Sequence, residues 1–185
     1  LRPVLKAGGT PASLSVQGTI TSGTATAIGE YDPVKLASGV IVRAAGLIGT
    51  DTVGILGTFM GVEYTDANGR RQESNQWIAA LTGTNIVCYY TDDPFITYEI
   101  QANGPVTQAM VGGECDMTTT TLNTTTGLSN VALDTVGQFS QSGASKLLRI
   151  VGFSPGADNV PGDAFTIVRV QIAKPMYAFG VVGIA

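Results

Sequence analysis

The 185-residue sequence predicts one all-β domain, a sandwich or barrel of short strands. Three features carry that expectation. Runs of β-branched and aromatic residues recur along the chain, each closed by glycine, proline, asparagine or aspartate. A 3.6-residue apolar period, the mark of an amphipathic helix, holds nowhere for more than a turn or two. Charged residues make up 13% of the chain and mean hydropathy is +0.24. Neutral Thr, Ser, Asn and Gly must therefore keep the surface wet, or an assembly must cover part of it.

Residues 1–24, LRPVLKAGGTPASLSVQGTITSGT, read as an extended arm or edge segment ahead of a single domain at 25–185. Pro3 and Pro11 favour extended backbone and Gly8-Gly9 loosens it, with a disordered terminus as the alternative. Val40, Ile41 and Val42 form a short strand ending near Arg43. Ile55–Tyr64 (ILGTFMGVEY) is the next, interrupted by glycines. Asn68-Gly69 marks a tight turn, because both residues accept positive φ, and Gln72–Trp77 returns as the hairpin partner. Ile86–Tyr90 (IVCYY) is another strand.

In DDPFITYEIQ, Asp92–Gln101, Pro94 cannot donate to a ladder and is placed at the strand's first position. Ile96, Tyr98 and Ile100 then share one face, and Thr97, Glu99 and Gln101 the other. Pro105–Gly113 has room for one or two helical turns before its glycines. The threonine-rich stretch 118–127 suits exposed strand, since a branched Cβ favours β geometry and the hydroxyl stays wet. Leu147–Phe153 and Phe165–Ile172 complete the strands. In the second, Val168, Val170 and Ile172 face one way and Arg169 and Gln171 the other. The uncharged segment from Met176, MYAFGVVGIA, is a final core strand or docks on a neighbouring subunit.

Lys plus Arg number 10 against 14 for Asp plus Glu, giving a net charge of −4. That balance repels a phosphate backbone, and no basic–aromatic interleaving occurs, so direct nucleic-acid binding is not expected. No apolar run reaches the roughly 18 residues of a membrane span. No charged stretch leads into an apolar one, so no signal peptide is expected either. The chain has no histidine, which removes the commonest general base and a common metal ligand.

The remaining candidates have plainer explanations. Cys88 and Cys115 are expected to be buried free thiols, with a disulfide as the alternative. Glu114 and Asp116 flank Cys115 and would raise its thiol pKa rather than activate it. Asp92 and Asp93 precede a strand, where carboxylates accept turn N–H groups; a catalytic pair would need one member buried. Asp158, Asn159 and Asp163 share a loop with Pro161 and Gly162, but the spacing is not the DxDxDG calcium pattern, so a plain turn is expected. Asn123-Thr124-Thr125 is a glycosylation sequon, which carries little weight without a secretory signal. No GxSxG elbow or GxxxxGK[ST] loop is present. No enzyme activity, cofactor or metal is expected.

Several phrases, in order, resemble the capsid cement, or head decoration, proteins of tailed phages. They are RPV…GG…P at the start, TATAIGEYDPVKL, GVEYTDANGR followed by Trp77, DDPFITYEIQANG, TTTGLSNVALDT, and LRIVGF…DNVPGDAFTIVRVQI. The likeness covers most of the chain and weakens after Ile172. Glu30-Tyr31 departs from the Gly-Asp of the family's GDPV-type phrase.

The resemblance implies a jelly-roll-like β-sandwich with an extended N-terminal arm, seated on the outer surface of an icosahedral head. It implies binding to the major capsid protein across capsomer boundaries, as a homo-oligomer, a dimer in preference to a trimer. Such proteins clamp neighbouring subunits against internal DNA pressure. Modest patches on several subunits add as avidity, and an extended arm can pair with an exposed strand edge. Leu1, Pro3, Val4 and Leu5 are therefore the expected capsid contacts, with Arg2 and Lys6 as charge partners. The competing expectation is a carbohydrate-binding or adhesin-like sandwich, whose aromatic platform would be sought at Trp77, Tyr89 and Tyr90. A third, a secreted hydrolase, lacks an acid–base inventory.

Overall fold

A computed structural model describes residues 1–6, 15–44, 54–118, 122–141 and 146–177. Among them the strands are, in order, β1 (Arg2–Leu5), β2 (Val16–Gly18), β3 (Ile28–Gly29), β4 (Pro33–Ala37) and β5 (Val40–Arg43). Next come β6 (Gly57–Thr65), β7 (Arg71–Ser74), β8 (Gln76–Trp77), β9 (Thr84–Tyr90) and β10 (Thr97–Gln101). The last are β11 (Glu114–Met117), β12 (Leu133–Ser140), β13 (Leu148–Phe153) and β14 (Ile167–Ile172). A 3-10 turn at Gln108–Met110 is the helical segment, so Pro105–Gly113 takes the shorter of the two forms expected.

The class is all-β, with antiparallel sheets. One sheet runs β1-β10-β14-β13-β11-β12; the other runs β2-β9-β6-β4-β5, with β7 on the far half of β6. A short β3–β8 pair stands beside them. The antiparallel sheets agree with the expected all-β sandwich. The first sheet curls until Leu133, opening β12, bridges Ala102, just beyond β10. The Asn103 N–H closes on the Leu133 carbonyl at 2.9 Å.

Two apolar clusters result. The first holds Ile96, Tyr98, Ile100, Cys115, Leu133, Leu148, Ile150, Val168 and Val170. The second gathers Ile28, Val34, Ile41, Phe59, Val62, Trp77 and Cys88. Period-2 alternation explains the first directly: Val168, Val170 and Ile172 of β14 are buried while Arg169 and Gln171 are not. Their outer partners form a cross-strand charge row, Arg2 opposite Glu99 opposite Arg169.

Local chemistry fixes the turns. Asp66 Oδ1 accepts the N–H groups of Asn68 and Arg70, both at 2.9 Å, and Gly69 takes φ +76°. The β6–β7 hairpin expected from Asn68-Gly69 forms there. These backbone bonds, with the Gln72 amide, outweigh desolvation and hold the Asp66 carboxyl below its ordinary pKa. Gly57 is required for a different reason: a Cβ there would stand 1.8 Å from the Thr91 carbonyl oxygen.

Residues 2–5 form an edge strand, one of the two forms expected of 1–24, and β2 pairs with β9; Gly8, Gly9 and Pro11 lie outside the described residues. Three expectations change. Pro94 sits a turn ahead of β10 rather than at its start. The return strand splits at Asn75, so β7 stays on β6 while Gln76–Trp77 crosses to β3. Thr124–Thr126 is a turn, not strand, with Asn123 Oδ1 accepting the N–H of Thr125 at 3.0 Å. The tail docks its beginning inside the chain: Met176 is buried, with its N–H on the Ile55 carbonyl at 2.9 Å. Residues 178–185 lie outside the described set.

Candidate contact surface

The six expected contact residues divide sharply. Leu1 is 5% exposed and belongs to the first cluster. Its backbone nitrogen donates to the Tyr31 carbonyl at 3.2 Å. Leu1 cannot meet a partner without leaving the core. Arg2 is exposed but bound, 2.5 Å from Glu99. Burial alone would raise the Glu99 carboxyl; the Ser154 hydroxyl, Arg2 and Arg169 together hold it below the ordinary range. Pro3, Val4, Leu5 and Lys6 are half-buried along the edge. Pro3 carries no N–H, so it thins the row of donors the edge can offer.

The carboxylates of Asp93 and Asp163 are occupied by backbone. Asp93 Oδ1 accepts the Phe95 N–H at 2.9 Å, and the Asp93 carbonyl accepts that of Ile96 at 3.3 Å. Asp93 is thus the lip of a strand entrance. In the 154–166 loop, Asn159 donates to the Ser154 and Ile167 carbonyls at 2.8 and 2.7 Å and accepts the Ile167 N–H at 2.8 Å. Asp163 Oδ2 accepts the Val160 N–H at 3.1 Å. Among the described residues no three His, Cys, Asp or Glu side chains converge on a metal-sized site.

Cys88 and Cys115 sit in different clusters as free thiols. Burial pushes Cys88 up to about 11 and Cys115 up to about 12, the latter also beside Asp116. At pH 8 the native protein should therefore leave Ellman's reagent unreacted, while both thiols titrate once it is unfolded in guanidinium. A native thiol that reacts at the rate of the unfolded chain would contradict this burial.

The aromatic platform is mostly hidden. Trp77 is fully buried and meets Tyr64 edge-on at 5.4 Å between ring centres. Tyr90 is buried as well. Tyr89 is half-buried and donates its hydroxyl to Glu63 at 3.0 Å, a bond that raises its own pKa.

One group of residues escaped the sequence reading. Val136, Phe165, Val160 and Ile167 are 77, 66, 54 and 41% exposed. Three linked segments bring them to one end of the first sheet. The Gly162 N–H binds the Val106 carbonyl at 2.7 Å, and the Ala102 N–H binds that of Thr166 at 2.9 Å. Asn103 accepts the Thr135 N–H at 2.9 Å, and Val136 packs over Gly104. Four large apolar side chains held out by a bonded frame form a patch that asks for cover. The signal was present in the sequence: Phe165 and Ile167 share parity with Arg169 and Gln171, which places them on the outer face. No family model matches the chain, and no match is found among curated proteins or among solved structures.

Proposed function

We propose that the chain is a structural virion protein that binds the outer surface of a phage head and cements neighbouring major capsid subunits. The observation that carries this reading is the apolar rim of Val136, Val160, Phe165 and Ile167 on a weakly charged β body. Such a rim suits burial against a partner, where desolvated aromatic and aliphatic anchors supply most of the binding energy. The ordered sequence phrases given above point to the same class of partner. The reading assigns the chain no turnover. It makes the protein a homo-oligomer, so that each copy's modest patch adds to the next.

Purified protein mixed with heads lacking it should co-sediment saturably and raise the temperature at which the heads release DNA. Replacing both Val160 and Phe165 by aspartate should weaken that binding by about tenfold or more, with the fold checked by circular dichroism. Absence of co-sedimentation by the wild-type protein overturns the proposal. The carbohydrate-binding alternative loses support, because two of its three aromatic candidates are buried; binding on a glycan array without binding to heads would restore it.

A further inference from the structure

A lysine covers a buried aspartate of the first sheet at the segment that enters β13, with a second aspartate across the strand pair. Cys115 and Met117 of β11 belong to the first cluster, and Asp116 lies between them, just past an irregularity in the β11–β12 pairing. It is nevertheless fully buried, at 0% exposure. Lys146 covers it, with Nζ 3.1 Å from Oδ2 and a side chain 15% exposed. The other oxygen, Oδ1, accepts the Leu147 N–H at 3.1 Å. Asp134 is the direct partner of Asp116 across the β11–β12 pair, and its Oδ1 accepts the Asn103 amide at 2.9 Å. Cross-strand partners stand on one face with Cβ atoms about 5 Å apart.

We propose that Lys146 and Asp116 condense into an intramolecular amide, an isopeptide cross-link between β11 and the entrance to β13, with Asp134 carrying the proton. An ammonium held at hydrogen-bond distance from a carboxylate is positioned for attack once the proton has moved.

The step balances without any further reagent. A proton passes from Lys146 Nζ to Oδ2 of Asp116. The nitrogen lone pair then attacks Cγ, forming the C–N bond and pushing the C=O electrons onto Oδ1, where the Leu147 N–H receives the charge. Asp134 takes a second proton from nitrogen and delivers it to Oδ2. The Cγ–Oδ2 bond breaks, Oδ2 leaves as water, and the carbonyl re-forms. An ammonium and a carboxylate become one amide and one water.

The test is the intact mass of the denatured full-length chain. It should be lighter than the sum of its residues by one water. A tryptic digest should hold a branched peptide joining residues 116 and 146, with no cleavage after residue 146. Lys146→Arg keeps the charge pair and should restore the full mass. Asp134→Asn should slow condensation by more than about tenfold, read as a full-mass species that lightens with time after refolding. Wild-type protein that keeps its full mass after days in the folded state overturns the cross-link. So does a lighter mass without the branched peptide, and an unchanged rate in Asp134→Asn removes the proton-carrying role. The result is independent of whether the chain binds a phage head.

Discussion

Replacing Asp32 by alanine is expected to destabilise the protein by about 3–5 kcal/mol, because it strands a buried charge. Asp32 is fully buried, and Arg43 lies over it with Nε 2.9 Å from Oδ2 and a side chain only 8% exposed. The carboxylate also accepts the Gly29 N–H at 2.8 Å and the Ser129 hydroxyl at 2.5 Å. It therefore joins β3, the start of β4, the end of β5 and the segment ahead of β12. Asp32→Asn keeps the shape and an acceptor and should lose less than alanine does, while still leaving the guanidinium without its counter-charge. Changing both partners, Asp32→Ala with Arg43→Met, should recover much of the loss, since a buried pair replaced by apolar groups is often near neutral. Guanidinium denaturation of the three variants measures the order. A loss below about 1 kcal/mol in Asp32→Ala would place the pair in water, where such contacts contribute little.

That junction was hidden in the phrase EYDPV, where Asp32 reads as an ordinary turn carboxylate before a proline. Tyr31 beside it adopts φ +67°, its N–H on the Phe59 carbonyl at 2.8 Å and its own carbonyl taken by Leu1. The strands were legible where a single rule decides them. Ile96, Tyr98 and Ile100 had to share a face, and Asn68-Gly69 had to turn, because side-chain parity and positive φ are local properties. Pairing partners were not legible. Nothing local says that Gln76–Trp77 leaves the hairpin for β3, or which strand Arg2–Leu5 pairs with. Those choices are set by which sheet buries Trp77 and Leu1. The contact surface was least legible of all. An exposed Phe165 in the turn ahead of β14 and a buried Phe59 within β6 look alike in the sequence, and a binding face made of apolar side chains has no spacing motif to betray it.

Tyr98→Ala should cost about 3–5 kcal/mol, the range for removing a buried aromatic ring, and should also change how the protein unfolds. Tyr98 is fully buried in the first cluster, yet its hydroxyl lies 3.0 Å from Thr91 Oγ1. Thr91 Oγ1 lies 3.2 Å from Thr58 Oγ1 and accepts the Thr58 N–H at 2.9 Å, and Thr58 is in β6 of the second sheet. All three residues are buried, so this chain of hydroxyls is a polar rivet between two apolar clusters that otherwise close on themselves. Burial pushes the Tyr98 phenol well above the ordinary tyrosine pKa, so it remains a neutral hydroxyl through mildly alkaline conditions. Tyr98→Phe removes only the hydroxyl and should cost about 1–3 kcal/mol, the range for leaving a buried partner short of a bond. Calorimetry distinguishes the two effects. The wild type and Tyr98→Phe should melt in one transition, whereas Tyr98→Ala, which also hollows the first cluster, should let that cluster melt before the second. If Tyr98→Ala still unfolds in one two-state transition, coupling between the clusters resides in other ties, such as the Asp32 junction and the bond from the Met176 N–H to the Ile55 carbonyl.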